Sequence, residues 1–313
     1  TFPSKTVRIT VDKAAVLANG VVQQKDADKI VPYIDMTIGD DIIYKNRLLM
    51  LDIIANNDWK RPIYFSGGSF GDDDYLWMKD YLQMDGVVYK LVPIKTKQDK
   101  DNPFDMGRVD ADLTYDIVQK WDWGNSGDPD IYHDIETRRN GLTYRSNLAR
   151  LAEALINEDK LDKAENILDL AMEKMPVDKF EFYSLLDSYI LGYYEISKPE
   201  KGREIYEQLT IIYQEKLLYF SSMKTKDQID LRREIYTDME RYRNIVNIIV
   251  EKDSKEMAEK EAATFNGYIK LFPYLYAPDE GIDLKNEPDR EFDMGIPLDS
   301  TLLQLIQEVA PES

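Results

Sequence analysis

No cysteine occurs in the 313 residues, so disulfides, thiolate catalysis and cysteine-ligated zinc are excluded. Histidine is almost as scarce. His133 is the sole one, too few for a histidine-rich metal site, and it can serve a Ser-His-Asp relay only if serine and aspartate converge on it. Long apolar runs are missing too. The longest are short and interrupted, such as Val87-Val88-Tyr89 and residues 245–250, against the ~18 residues needed to cross a bilayer. Positive charge is in deficit: 40 Lys and Arg against 59 Asp and Glu give a formal charge of -19. So acidic a surface repels phosphate backbones and anionic headgroups. That argues against nucleic acid and against adsorption to an anionic membrane, and favours basic or neutral partners. A start methionine and a signal-peptide pattern are also lacking, so Thr1 is expected to fall inside a longer protein.

What is present is patterned, and the first third reads as strands and helices in turn. Residues 6–12 and 30–38 alternate apolar and polar side chains with the period of a half-buried strand. Asn19-Gly20 reads as a hairpin turn between Val16-Leu17 and Val21-Val22. The period then becomes helical from Ile42 to Ile54, ending at Asn56-Asn57. Pro62-Ile63-Tyr64-Phe65-Ser66 reads as a short buried strand and Gly67-Gly68-Ser69-Phe70-Gly71 as a loop. Residues 72–84 read as a helix with acids in its first turn. Asp85-Gly86 turns into a strand over 87–94, residues 95–110 form a loop, and 110–121 a further helix. The turn-rich stretch 123–130 is the expected domain boundary.

Residues 137–272 read as helical throughout, and a repeat is visible in them. Leu148, Leu151 and Ala152 fall on one helix and Ala164, Leu168 and Ala171 on the next, with Pro176 ending it. Those are the offsets of a tetratricopeptide hairpin, in which small residues let two antiparallel helices approach. Leu186 and Tyr189, then Gly202, Tyr206 and Leu209, form a weaker second copy, with Pro199 at its second helix start. Residues 229–250 and 255–272 form a third, atypical pair. The expected fold is therefore mixed α+β. It comprises an α/β domain over 1–130, an all-α tetratricopeptide-like repeat domain over 131–273 and a tail over 274–313 with one amphipathic stretch at 302–309.

Several runs are distinctive: Asn56-Asn57-Asp58-Trp59-Lys60-Arg61-Pro62-Ile63-Tyr64-Phe65, Tyr81-Leu82-Gln83-Met84-Asp85-Gly86, Tyr89-Lys90-Leu91-Val92-Pro93-Ile94, Gly107-Arg108-Val109-Asp110, Trp121-Asp122-Trp123-Gly124 and residues 147–153. On these runs the chain, from about 6 to 272, resembles the carboxy-terminal soluble part of a bacterial family of large multi-spanning membrane proteins. Their amino-terminal domain, of unknown function, is similar to polyprenyl-phosphate-sugar-dependent glycosyltransferases, including protein O-mannosyltransferases. The resemblance implies a place outside the cytoplasmic membrane, in the periplasm, tethered to a membrane core that holds any transfer chemistry. It carries no catalytic residue onto this chain.

The candidate sites follow from side-chain chemistry. The Gly67–Gly71 loop lacks the Lys-Ser/Thr of a phosphate loop, and Asp72-Asp73-Asp74 after it would repel phosphate. Those acids, and Asp122, Asp128, Asp130 and Asp134, offer oxygen ligands without the spacing of a calcium loop, so no metal and no cofactor is expected. Trp59, Arg61 and Tyr64 form a docking face or, more simply, a helix-to-strand corner held by an aromatic–cation contact. Tyr144, Tyr183, Tyr189, Tyr193, Tyr194, Tyr206 and Tyr213 lie on the repeat helices. Of these, Tyr183 and Tyr193 are expected to face a concave groove, although large residues at helical spacing usually form core. The function read from the sequence is a non-catalytic extracytoplasmic docking module. It would engage a polypeptide or glycan acceptor, a partner subunit, or the parent's own membrane-embedded core. The rival is a carbohydrate-active enzyme with paired carboxylates at the domain seam.

Overall fold

The computed structural model describes residues 5–38, 43–66, 76–97 and 106–275. The glycine loop at 67–71, Asp72, Asp73 and Asp74, and the tail with its stretch 302–309 lie outside them. The chain divides into two compact units, 1–124 and 125–313. The architecture is mixed α+β: strands gather in the first unit, and the second is helical.

In the first unit β1 (Thr6–Thr10) pairs antiparallel with β2 (Tyr33–Thr37). Alternation sends Ile34 and Met36 inward. Arg8 and Asp35, directly opposite each other, exchange a two-pronged ion pair at 2.7 and 2.8 Å. Between the strands, the expected hairpin at Asn19-Gly20 is instead the end of a helix, α1 (Lys13–Ala18). Asp12 caps its start by accepting from Ala15 N–H at 3.0 Å, and the alanines favour helix. Gly20 then takes φ 66°, the left-handed conformation that closes helix ends. The next helix, α2 (Lys45–Asn56), buries only Leu51 and Ile54.

A four-stranded sheet has the order β3-β5-β4-β6, with β3 (Tyr64–Ser66), β4 (Leu82–Asp85), β5 (Val88–Leu91) and β6 (Arg108–Val109). Only the β4–β6 pair is parallel. Two expectations are corrected here. Residues 76–81 form a 3-10 turn and residues 82–85 a strand rather than the end of a helix. Leu82-Gln83-Met84-Asp85 does alternate apolar and polar residues over its four positions, but all four side chains are buried, because Gln83 and Asp85 meet buried polar partners instead of water. Conversely β3 lies at the sheet edge with Tyr64 and Ser66 exposed, as suits a strand that follows a proline. At Gly107 (φ 71°) any Cβ would collide with the Leu82 carbonyl, so the close β4–β6 approach requires glycine there. Asp110 then caps α3 (Ala111–Val118).

The second unit is built from successive helical pairs. First come α4 (Ile135–Asn157) and α5 (Leu161–Lys174), then the single turn α6 (Val177–Phe180). The second pair is α7 (Asp187–Glu195) with α8 (Pro199–Ser221). The third is α10 (Arg232–Lys252) with α11 (Lys255–Ile269), preceded by the short α9 (Thr225–Asp230). Leu148, Leu151 and Ala152 on α4 and Ala164, Leu168 and Ala171 on α5 are all buried where the two meet. Truncating such a leucine costs roughly 2–5 kcal/mol. Leu186, Tyr189, Tyr206 and Leu209 are buried in the second pair, and Pro199 opens α8.

The uninterrupted helical reading is corrected at two places. Residues 225–252 break at Leu231, between α9 and α10. More important, 175–186 is an irregular corner. Pro176 stops the preceding helix, and Glu181 and Phe182 take φ of 51° and 48°. Left-handed backbone at two consecutive non-glycine residues costs about 1–3 kcal/mol each, so neighbouring groups must hold it.

Candidate functional site

In the first unit the distinctive motifs converge on one buried polar network. β4 contributes Gln83 and Asp85, β5 Lys90, β6 Arg108, and the 3-10 turn at 24–29 Asp26 and Lys29. Lys90 Nζ lies 2.9 Å from Asp85 Oδ2, both side chains buried. Gln83 Nε2 donates to Asp85 Oδ1 at 2.8 Å, and Arg108 donates to Gln83 Oε1 at 3.1 Å and to Asp26 Oδ2 at 2.8 Å. Lys29 completes the pairing of Asp26 at 2.7 Å. Alongside, Asp110 Oδ1 takes Lys25 Nζ at 2.7 Å and the Leu113 N–H at 3.2 Å.

Burial pushes Asp26 up, but the hydrogen bonds from Lys29 and Arg108 outweigh it and hold the carboxyl below its ordinary value. Burial, then the neighbouring Asp85, raises the phenol of Tyr64. Each of these carboxylates is matched by a cation, which is the chemistry of a specified interior rather than of a proton donor poised near neutrality. Neither Lys25 nor Asp26 lay in the distinctive motifs, because their partners, Asp110 and Arg108, stand 85 and 82 residues away.

Of the three residues expected to form a docking face here, Trp59 does not belong to one. It is 7% exposed, and its indole Nε1 donates to the Thr10 carbonyl at 2.9 Å. Asn19 in turn donates to the Trp59 carbonyl at 3.0 Å. The ring therefore pins the helix-to-strand corner against β1 through this indole N–H bond, not through the expected aromatic–cation contact. Arg61 is exposed, and Tyr64 is 50% exposed with Lys90 Nζ 6.0 Å from its ring centroid.

In the second unit the irregular corner is locked from below by Arg145 of α4. This guanidinium is 1% exposed. It donates to the carbonyls of Glu181 at 2.5 Å and Met175 at 2.8 Å, with those of Phe182 and Pro176 at 3.4 Å. Among these carbonyls is that of Met175, at the negative end of α5, which favours a cation. Burial lowers the Arg145 pKa to about 10, so it stays charged at neutrality. Tyr189 donates to the Arg145 carbonyl at 2.7 Å, and Arg138 pairs with Glu181 at 2.6 Å. Phe180 lies over Gly141, where a Cβ would meet its ring at 2.7 Å, and meets His133 at a tilt of 40° with ring centroids 4.7 Å apart. His133 Nε2 also bonds the Ser126 carbonyl at 2.9 Å. The lone histidine is thus part of the corner's packing, and Asp134 beside it caps α4.

The locked corner presents Tyr183. Its half-buried ring meets Tyr213 edge-on at 6.4 Å, Tyr213 stacks on Tyr242 at 6.2 Å, and Tyr242 meets Phe265 at 5.1 Å. This aromatic ladder runs through the α8, α10 and α11 helices. Tyr193, the other tyrosine expected in a groove, is 2% exposed, and its hydroxyl donates to Asp169 of α5 at 2.8 Å. Tyr193 shares the buried face of α7 with Tyr189, one turn before it, so it is core. Most of the other repeat tyrosines tie helix to helix in the same way: Tyr194 to Asp253, and Tyr206 to Glu261 at 2.7 Å.

The unit-one network is the part of the chain that comparison with known families reaches. Residues 1–113 match the family model of TMEM260-associated domain 2. The match supports a TMEM260-like kinship and a domain associated with membrane proteins. Neither a curated protein nor a solved structure matches this chain. No described helix is long and apolar enough to cross a membrane.

Around Tyr183 lies the group that sequence reasoning missed. Asp187, at the start of α7, is buried near enough to Tyr213 to act on its hydroxyl, and burial raises its carboxyl to about 6. Asp238 of α10 is also buried, with Lys216 Nζ at 3.4 Å and Arg241 Nη1 at 3.9 Å. Lys216 Nζ stands 5.9 Å from the Tyr183 ring centroid. No periodicity marks these two aspartates among 59 acidic residues. The only available signal was an acid inside an otherwise apolar helix face. The connector acids, by contrast, serve turns: Asp122 accepts from Gly124 N–H and Asp128 from Asp130 N–H, each at 2.9 Å.

Proposed function

We infer that this chain is a non-catalytic docking module of a membrane-associated, glycosyltransferase-like protein, lying on the extracytoplasmic side. Its helical pairs, read as tetratricopeptide-like, hold a polypeptide or glycan acceptor, a partner subunit or the parent's membrane core. The membrane association is supported by the TMEM260-associated match over 1–113. The observation that carries the docking reading is the corner at 175–186. A buried arginine and two left-handed residues are committed to displaying one half-exposed tyrosine beside charged groups. Strain that persists only because its surroundings over-determine it is characteristic of ligand clamps. Amphipathic tyrosine is a common contact residue in such places. The -19 charge favours basic or neutral partners over nucleic acid. The first unit's carboxylates, matched by lysine and arginine, are better suited to hold structure than to cleave glycosidic bonds.

The test pairs binding with turnover. The purified chain is titrated with a peptide library and an oligosaccharide panel, then repeated as Tyr183→Ala. Binding that is lost in the variant while its thermal unfolding is unchanged supports the site. Binding that survives the substitution removes Tyr183 from it. Robust turnover of glycosides or sugar donors by the chain alone would overturn the non-enzymatic reading.

A further inference from the structure

Resting on the docking site above, we propose that the cluster of Tyr183, Asp187 and Asp238 is a seat for the cationic side chain of a basic polypeptide segment, in which Lys216 is the protein's own stand-in. The Lys216 ammonium already takes the position such a ligand needs, facing the Tyr183 ring and a carboxylate of Asp238. It takes it loosely. The 5.9 Å to the ring centroid is near the outer limit of a cation–π contact, and 3.4 Å to the carboxylate is beyond an optimal charged hydrogen bond. The Lys216 side chain is 45% exposed, so it can swing away without unfolding anything.

The second observation is unfilled hydrogen-bonding capacity around the same spot. Among the described residues, Asp187 is bonded only by backbone N–H groups at the start of α7, that of Ser188 at 2.9 Å and its own. Among the described residues no cation lies within ion-pair distance of this buried carboxylate, and Arg241 acts on it only through its field. The hydroxyl of Tyr213 feels the fields of Arg241, Asp238 and Asp187 together. Two buried acids and a partly exposed ring together suit an ammonium or guanidinium arriving from outside. Cations of the protein itself compete for the seat: Arg241 reaches Asp238 and acts on Asp187 and Tyr213, while Arg145 and Arg138 stand near Tyr183 opposite Glu181 and Asp178. A bulk preference for basic ligands follows from the overall charge of -19, so the test must separate this seat from general attraction.

The whole chain is titrated at physiological ionic strength with a short capped peptide of alternating lysine and glycine, its glutamate–glycine counterpart and a neutral oligosaccharide. Tyr183→Leu and Asp238→Asn should each weaken the lysine peptide by roughly threefold to tenfold, the scale of one cation–π or partly exposed ionic contact. Lys216→Met, which keeps the stem and drops the charge, should tighten it by a similar factor by vacating the seat. Circular dichroism checks that each variant is folded, and Lys216→Met, being at the surface, keeps the proposal falsifiable if Asp238→Asn is not. Overturning results are no binding of the lysine peptide, binding indifferent to all three substitutions, or weakening by Lys216→Met. A neutral glycan or the glutamate peptide that binds through Tyr183 but ignores Asp238 would sink the cation seat while leaving the docking reading intact.

Discussion

Arg145→Met isolates what holds the strained corner. The substitution keeps an apolar stem of similar reach but removes the donors to the Glu181 and Met175 carbonyls, at 2.5 and 2.8 Å, and to those of Phe182 and Pro176. Hydrogen bonds to a charged group contribute about 1.5–3 kcal/mol each, and a buried acceptor left bare costs about 1–3 kcal/mol. Against this, the desolvation cost of a guanidinium that is 1% exposed disappears. Two strong bonds lost and one desolvation cost relieved leave a net destabilisation of about 3–5 kcal/mol. The assay separates the units. All four tryptophans, Trp59, Trp77, Trp121 and Trp123, precede residue 125, whereas the helices of 125–275 dominate the far-ultraviolet signal. In urea the circular dichroism midpoint should fall and the tryptophan midpoint should stay. Amide exchange should rise first at 181–184. Arg145→Lys should recover little, because one ammonium cannot fork between both ends of the corner. A loss below about 1 kcal/mol would refute the claim that Arg145 pins the left-handed pair, since that is the size of a single ordinary hydrogen bond.

Three further outcomes follow from the geometry. Lys90→Met strands the buried Asp85 carboxylate and should destabilise the first unit by about 3–5 kcal/mol, while Lys90→Met with Asp85→Leu should cost much less; tryptophan fluorescence in urea reads both. Gly141→Ala drives a methyl into the Phe180 ring at 2.7 Å and should cost about 1–3 kcal/mol by circular dichroism melting. Asp187 is raised by burial from 3.8 to about 6, so the folded state binds its proton more tightly and stability should fall as pH rises between about 4 and 6. The difference is roughly 3 kcal/mol for a shift of that size, and Asp187→Asn should flatten this part of the pH profile; a profile identical to that of the unchanged chain would show that Asp187 is not buried as described.

Sequence pattern alone located the helices of the second unit, and its reason is local: residues three and four apart share a helix face, so Leu148, Leu151 and Ala152 on one helix, and Ala164, Leu168 and Ala171 on the next, announce a contact before any coordinates exist. Proline and aspartate marked where helices begin, as at Pro199 and Asp110. Composition excluded thiol chemistry by the same directness. What no window of sequence contains is the environment supplied by distant chain. β4 alternates apolar and polar residues, yet both of its faces are covered, so Gln83 and Asp85 are buried where the pattern alone would leave them in water, and Asn19-Gly20 closed a helix because Asp12 had opened one. Arg145 meets its carbonyl partners 30 to 37 residues further on, and Tyr193 became core because α5 lies against it. Charge and ring size are written in the residue, but whether a ring faces water or a neighbouring helix, and whether an aspartate is solvated or sealed in as Asp187 is, depends on which surfaces the folded chain brings together.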